Sequence, residues 1–363
     1  MSNTKRIVLV ISSLSSGGAE RVMVTLANNL AWRGYKVTLI TLRSNKCDWY
    51  TLDKSVTRIV VGHVDYKSPL SYIVNCFKKT MHIRKLFITL HPEIIISFLT
   101  GVNIIVMLAS LGLGKKVIIS ERVDPTMHRT IPITWKLMRK LTYPFVDNLV
   151  VQTSSIANYF SPRLKSKVVV IPNPVLPQSS LSQKNTHFQK PCIVAMGRLV
   201  NQKGFDLLIT SFSQIAIKYP AWKLVIIGEG DKRRELEQLV ARFKLKDKVT
   251  LMGRIINPQS MLQHADIFVL SSRYEGFPNA LLEAMACGLP VISFNCPSGP
   301  AEIIHHNYDG ILVSPADMPQ LTLAMERLIK SKPLRKKLGN NAKYVTTRYS
   351  VDIIIEKWEK LIV

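Results

Sequence analysis

Short apolar runs alternate with helical periodicity from one end of the chain to the other. In the first half they are IVLVI (7–11), KVTLITL (36–42), RIVV (58–61), IIISF (94–98), KVIIS (116–120), NLVVQT (148–153) and KVVVIP (167–172). In the second half they are CIVAMG (192–197), KLVIIG (223–228), KVTLMG (248–253), IFVLSS (267–272), PVISF (290–294) and GILVS (310–314). Runs that stay apolar throughout are strands buried on both faces, and the helices between them make the sheets parallel. The rhythm stops once, across IPNPVLPQSSLSQKNTHFQKP, where Pro, Ser, Asn and Gln replace the apolar period. That composition predicts a linker. The expectation is an α/β chain of two doubly wound, Rossmann-like domains, 1–171 and 191–347, joined by a linker at 172–190. Residues 348–363 read as an amphipathic helix with Ser350 or Asp352 near its start. A length of 363 residues suits two cores better than one.

Two segments need a decision about membranes. The N-terminal MSNTKRIVLVISSL has a basic pair and a short apolar run, but it continues into a strand-loop-helix pattern without a cleavage site. Residues 7–11 are therefore read as a buried strand, not a signal peptide. Residues 94–114 carry no charge and are long enough to span a bilayer. Ser97, Thr100, Asn103 and Ser110, together with the turn at His91-Pro92, favour a strand at 94–98 and a buried helix from about 101 to 111. A protein anchored at 94–114 is the competing reading.

Charge changes the picture further. The chain holds 49 Lys and Arg against 24 Asp and Glu, a net charge of +25, and residues 1–170 alone hold 24 against 8. Such an excess attracts polyanions. No Cys/His finger, RNA-binding aromatic motif or basic heptad is present, so nucleic acid is not expected and an anionic membrane surface is. The five cysteines at 47, 76, 192, 287 and 296 form no CxxC pair, which argues against a disulfide framework or zinc site and fits a cytoplasmic, reducing compartment.

The richest candidate chemistry lies in SRYEGFPNALLEAMACGLPVI, 272–292, with Glu275 and Glu283 on either side of Gly276-Phe277-Pro278. Pro278 is excluded from a helix interior but suits a first turn, so a helix is predicted to start at Pro278 or Asn279. Glu275 then projects from the loop before the helix and Glu283 from its second turn. The N–H groups and positive dipole end between them favour an anion. Two hydroxyl-accepting carboxylates around an anion site suit sugars on either side of a phosphate, as in a nucleotide sugar.

Other strand ends add to this. In GRLVNQKG, 197–204, Arg198 and Lys203 follow a strand and could neutralise a diphosphate. Gly17-Gly18 sits between the first strand and first helix without GxGxxG spacing, and no acidic residue ends the second strand, which weakens a nicotinamide-dependent reading. Gly228 in GEG, and Gly253 with Arg254 in MGR, stand at two further strand ends where backbone could meet a base edge. There is no DxD triplet or His/Asp cluster, so no metal and no cofactor are expected.

These segments together resemble the GT-B glycosyltransferases of family 4, the retaining nucleotide-sugar enzymes. The resemblance runs through SSGGAER, GRLVNQKG, GEG, MGR, EGFPNALLEAMACGLPVI and DGILVSP, and the nearest flavour is bacterial surface-polysaccharide and lipid-linked oligosaccharide synthesis. It implies two domains facing across a cleft, with the terminal helix of 348–363 crossing back to the first. It implies that Glu275 touches the transferred sugar and Glu283 the ribose, while Arg198 and Lys203 hold the departing diphosphate. Backbone of Gly276, Phe277 and Pro278 shapes the sugar pocket, Met252-Gly253-Arg254 borders the base, and Gly17 and Gly18 approach the diphosphate. On the acceptor side the segment 119–129 offers Glu121, Arg122, Asp124 and His128, with no choice among them.

The implied partners are a nucleotide-sugar donor and an oligosaccharide or polyprenyl-linked acceptor. Two basic amphipathic stretches, 72–87 and 133–143, suit either a solvated face or peripheral attachment to the inner face of the plasma membrane. A catalytically idle nucleotide-sugar-binding protein is the rival that keeps the same binding residues.

Overall fold

The structure is a computed structural model that describes residues 5–43, 48–62, 69–126, 132–160, 162–175, 190–255 and 258–363. The chain divides into two compact units, Met1–Asn173 with Asp352–Val363, and Pro174–Val351.

The first unit is built on seven parallel strands in the order β3-β2-β1-β4-β5-β6-β7. They are β1 (Arg6–Ile11), β2 (Lys36–Thr41), β3 (Thr57–Val60), β4 (Ile94–Phe98), β5 (Lys116–Ser120), β6 (Asn148–Val151) and β7 (Val168–Val170). All five residues of β4 are buried, because it pairs with β1 on one side and β5 on the other. The uncharged 94–114 segment is thus a central strand followed by the helix Thr100–Ser110, 11 residues long and buried along most of its length. Among the described residues no helix is long and apolar enough to cross a membrane.

Helices Pro69–Leu90 and Ile133–Thr142 pack beside that buried helix, and the inner faces of all three share one core with β1, β4 and β5. Their outer faces are unusual. In Ile133–Thr142, Trp135 and Met138 pack on the core and Arg139 is buried. Ile133, Leu137 and Leu141 face out at 82%, 57% and 57% exposure, beside exposed Lys136 and Lys140. The apolar residues of this helix do not share one face. Packing separates them, because at about 100° per residue Leu137 lies roughly 160° from Trp135.

The terminal helix Val351–Ile362 contributes to the first unit, with Trp358 1% exposed and its ring 5.7 Å from that of Phe98. Arg33 pairs with Asp352 and Glu359 on its outer side.

The second unit carries six parallel strands in the order β10-β9-β8-β11-β12-β13. They are β8 (Cys192–Met196), β9 (Lys223–Ile227), β10 (Val249–Gly253), β11 (Ile267–Leu270), β12 (Val291–Phe294) and β13 (Ile311–Val313). Alternate residues serve opposite faces, as a pleated strand requires. Ile193 and Ala195 join the core with helices Phe205–Lys218 and Met318–Lys330, whereas Cys192 and Val194 join the core with helix Asn279–Ala286. Strand order reverses between β8 and β11, and open α/β sheets bind ligands beyond the strand ends at such a switch point.

Candidate active site

Two loops leave the switch point, 197–204 from β8 and 271–278 from β11. The first contains a single 3-10 turn, Asn201–Lys203, closed by Gly204 at φ 63°. A Cβ on Gly204 would lie 2.0 Å from the Ser271 carbonyl oxygen, so glycine is required both for the left-handed backbone and for the approach of the second loop. Gly228 meets the same need against Gly197, whose carbonyl oxygen would lie 1.8 Å from its Cβ.

The two loops are joined along their length. Ser271 Oγ donates to the Lys203 carbonyl at 3.0 Å, Arg273 N to the Gln202 carbonyl at 2.8 Å, and Gln202 Nε2 to the Tyr274 carbonyl at 3.0 Å. At their inner end Lys203 Nζ donates to Glu275 Oε1 at 2.6 Å, with the side chains 16% and 6% exposed. Ser272 Oγ donates to the same oxygen at 2.6 Å. The Glu275 carboxylate is therefore oriented by one cation and one hydroxyl at the C-terminal edge of the sheet.

Helix Asn279–Ala286 starts with Pro278 as its cap residue. Glu283 is 8% exposed in its second turn, so both carboxylates occupy the positions relative to the helix start that the sequence predicts. Phe277 is buried, its ring 5.5 Å from that of Tyr349 in an edge-on arrangement. Gly276 is buried and its carbonyl accepts a 3.3 Å bond from Ser298 Oγ. Gly299, at φ 101°, packs so closely that a Cβ would sit 2.7 Å from Pro278 Cδ. Cys296 lies in this supporting loop, and burial, followed by the Glu275 charge, pushes its thiol up to about 12.

Arg198 is exposed and, among the described residues, has no ion pair. Gly228 N–H donates to the Gly253 carbonyl at 2.8 Å, which ties the two strand ends together. Arg254 is exposed beyond them. Among the described residues no group of three or more His, Cys, Asp or Glu is placed to hold a metal ion.

In the first unit, Gly17 caps helix Gly18–Trp32, and the Glu20 carboxylate folds over it, so close that a Cβ on Gly17 would meet Glu20 Oε2 at 2.0 Å. Glu121 is 2% exposed and accepts from Tyr143 Oη at 2.5 Å and Thr100 Oγ1 at 2.7 Å. Burial, then the Glu121 charge, pushes the Tyr143 hydroxyl well above its ordinary range. Arg122 is buried as well, bonded to Asn173 and stacked 4.4 Å over the Phe98 ring. Its burial lowers the guanidinium to about 9. Asp124 is buried and accepts from Thr126 N and Oγ1. These side chains are engaged inside the unit. His128 lies outside the described residues.

Sequence reasoning missed Gln202 and Arg273, which join the two loops, Asp206, which Arg273 grips from the following helix, and Ser272, which bonds to Glu275 within its own loop. The only local signal was a cation and an acid near strand ends, too common to single out.

Comparison with known proteins shows the family and the fold. Residues 16–178 match the family described as Glycosyltransferase Family 4, and residues 178–345 match Glycosyl transferases group 1. The chain is 30% identical over 358 residues to a Campylobacter jejuni enzyme, covering 98% of each chain. That enzyme is GalNAc-alpha-(1->4)-GalNAc-alpha-(1->3)-diNAcBac-PP-undecaprenol alpha-1,4-N-acetyl-D-galactosaminyltransferase. The present chain is also 28% identical, over 99% of each chain, to the amylovoran biosynthesis glycosyltransferase AmsD of Erwinia amylovora. In fold it is similar to sucrose-phosphate synthase from Thermosynechococcus elongatus, with a TM-score of 0.86 at 19% identity over 99% of this chain and 98% of that one. It is similar also to Anabaena HepE in complex with UDP and glucose, with a TM-score of 0.82 at 17% identity over 98% of both. The chain belongs to the family 4 glycosyltransferases and is a transferase of the GT-B fold.

Proposed function

We propose that the protein moves a hexosyl or N-acetylhexosaminyl group from a nucleoside-diphosphate sugar to an oligosaccharide or polyprenyl-linked acceptor during bacterial surface-polysaccharide synthesis. The observation that carries the reading is the Lys203–Glu275 pair, 2.6 Å apart at the switch point of the second sheet and next to a helix N-terminus. A donor that enters this site exchanges the pair's mutual contact for two others. Its diphosphate takes Lys203, with Arg198 and the N–H groups at the start of helix Asn279–Ala286, and a sugar hydroxyl takes Glu275. Glu283 receives the ribose hydroxyls. Each charge-assisted contact contributes about 1.5–3 kcal/mol.

In the reaction the bond from the anomeric carbon to the diphosphate oxygen breaks as the acceptor oxygen bonds to the same face of that carbon. Configuration is retained, and the acceptor proton passes to the leaving diphosphate. Lys203 and Arg198 matter most as charge accumulates on that leaving oxygen. The reading assigns this charge to groups of the protein and not to a divalent ion. Its supports are the side chains at the site and the family likeness.

The acceptor class follows the Campylobacter jejuni relative, whose name specifies an undecaprenol-linked oligosaccharide. A lipid-linked acceptor places the protein at the inner face of the plasma membrane. The outer faces of helices Pro69–Leu90 and Ile133–Thr142 suit that place. Phe77 is 67% exposed and Met81 40%, adding to Ile133, Leu137 and Leu141. Neither helix contains an Asp or Glu. Apolar side chains ringed by lysines fit an anionic lipid surface, where each cation contributes about 1 kcal/mol.

The test is incubation with a panel of UDP- and GDP-sugars and short polyprenyl-diphosphate oligosaccharides, with and without EDTA, read by mass spectrometry. Addition of one sugar residue, unaffected by EDTA, supports the reading. No product from any donor, or transfer that needs restored metal, overturns it.

A further inference from the structure

The turn that carries Lys203 is only three residues long and has no side-chain cap of its own. Its position comes from outside. The guanidinium of Arg273 donates from Nη1 to the Asn201 carbonyl at 2.7 Å, at the start of the turn. The same guanidinium grips the Asp206 carboxylate with two bonds, Nη1 to Oδ1 at 2.8 Å and Nη2 to Oδ2 at 2.6 Å, in the first turn of helix Phe205–Lys218. Its backbone N–H holds the Gln202 carbonyl between those points. One residue therefore spans 201 to 206, with Lys203 in the middle, and does so two positions before Glu275.

The brace lies at the surface: the Arg273 and Asp206 side chains are 29% and 45% exposed. Ion pairs this open add little to global stability. A forked, two-point grip with a backbone carbonyl as third point nevertheless fixes direction well, and only arginine offers it. We infer that Arg273 is a positioning residue of the donor site, bracing the 201–206 segment so that Lys203 is aimed at the place where the diphosphate binds. It need not touch the donor. This inference rests on the reading of Lys203 as a diphosphate ligand.

The experiment is a double-mutant cycle on ligand binding, titrating UDP and GDP calorimetrically into wild type and following whichever binds. Lys203→Ala weakens binding about tenfold, the loss of one charge-assisted contact. Arg273→Ala weakens it about fivefold in the wild type and less than about twofold in the Lys203→Ala background, because the two act through one contact. Arg273→Lys, which keeps the charge but not the fork, falls between wild type and Arg273→Ala. Should Arg273→Ala fail to fold, by circular dichroism, Arg273→Lys and Asp206→Asn run the same cycle. Equal losses from Arg273→Ala in both backgrounds, or none in either, overturn the inference while leaving the donor site intact. Wild-type affinity in Lys203→Ala, or no binding of either nucleotide to wild type, overturns the underlying reading instead.

Discussion

Lys203 and Glu275, 72 positions apart in sequence, meet at 2.6 Å between two loops of the second unit, each side chain largely buried. Without donor they neutralise one another. Removing one member leaves the other buried without its counter-charge, which costs more than the pair contributes. Lys203→Ala is expected to destabilise the protein by about 3 kcal/mol in urea unfolding. Adding Glu275→Gln to it should recover most of that loss while leaving transfer abolished. Stability and activity part company only if the pair is kept for function.

Gly204 tests the loop geometry. Its φ of 63° and the 2.0 Å approach to the Ser271 carbonyl leave no room for a methyl group. Gly204→Ala should cost about 2 kcal/mol or more and weaken nucleotide binding together with stability. An unchanged unfolding midpoint would contradict the packing of the two loops.

The Arg273–Asp206 grip sets a pH expectation. Burial alone would raise the Asp206 carboxyl, but the Arg273 hydrogen bonds and charge outweigh it and hold it below its ordinary value. A carboxyl lowered in the folded state adds stability that is present above its unfolded value, about 3.9, and disappears as pH falls through the folded value. The melting-temperature difference between wild type and Asp206→Asn should therefore be constant from pH 7 to about pH 5 and close only in more acid solution. A gap that closes between pH 7 and 5 would refute this assignment.

Much of this arrangement was legible in the letters, and the parts that were not share a cause. Strand IIISF at 94–98 and the start of the helix at Asn279 follow from local pattern, an apolar run in one case and a proline in the other. Both depend on neighbours within a few residues. Arg273 and Asp206 are 67 positions apart, and nothing near either one announces the other. The outward turn of Leu137 was hidden for a related reason: which arc of a helix faces the core is decided by its partner, here the buried helix Thr100–Ser110. Glu121 is a further case. The letters show only an acidic residue at a strand end, and the fold adds that Tyr143 and Thr100 each donate to one of its oxygens.

The exposed stripe of helix Ile133–Thr142 yields a surface prediction. Leu137→Glu combined with Leu141→Glu should reduce co-sedimentation with vesicles containing anionic lipid by about tenfold, with no loss of transfer to a water-soluble acceptor fragment. Both residues are 57% exposed, so the substitutions should leave the melting temperature within about a degree of wild type. Undiminished vesicle binding would remove this helix from the membrane face.

The most direct test of the account is the rate of sugar transfer by Glu275→Gln, an isosteric change that keeps the shape of the site and removes the charge facing Lys203. With the donor identified and folding verified, turnover is predicted to fall about a hundredfold or more. A folded Glu275→Gln variant that transfers sugar at the wild-type rate would contradict the assignment of this loop as the donor site.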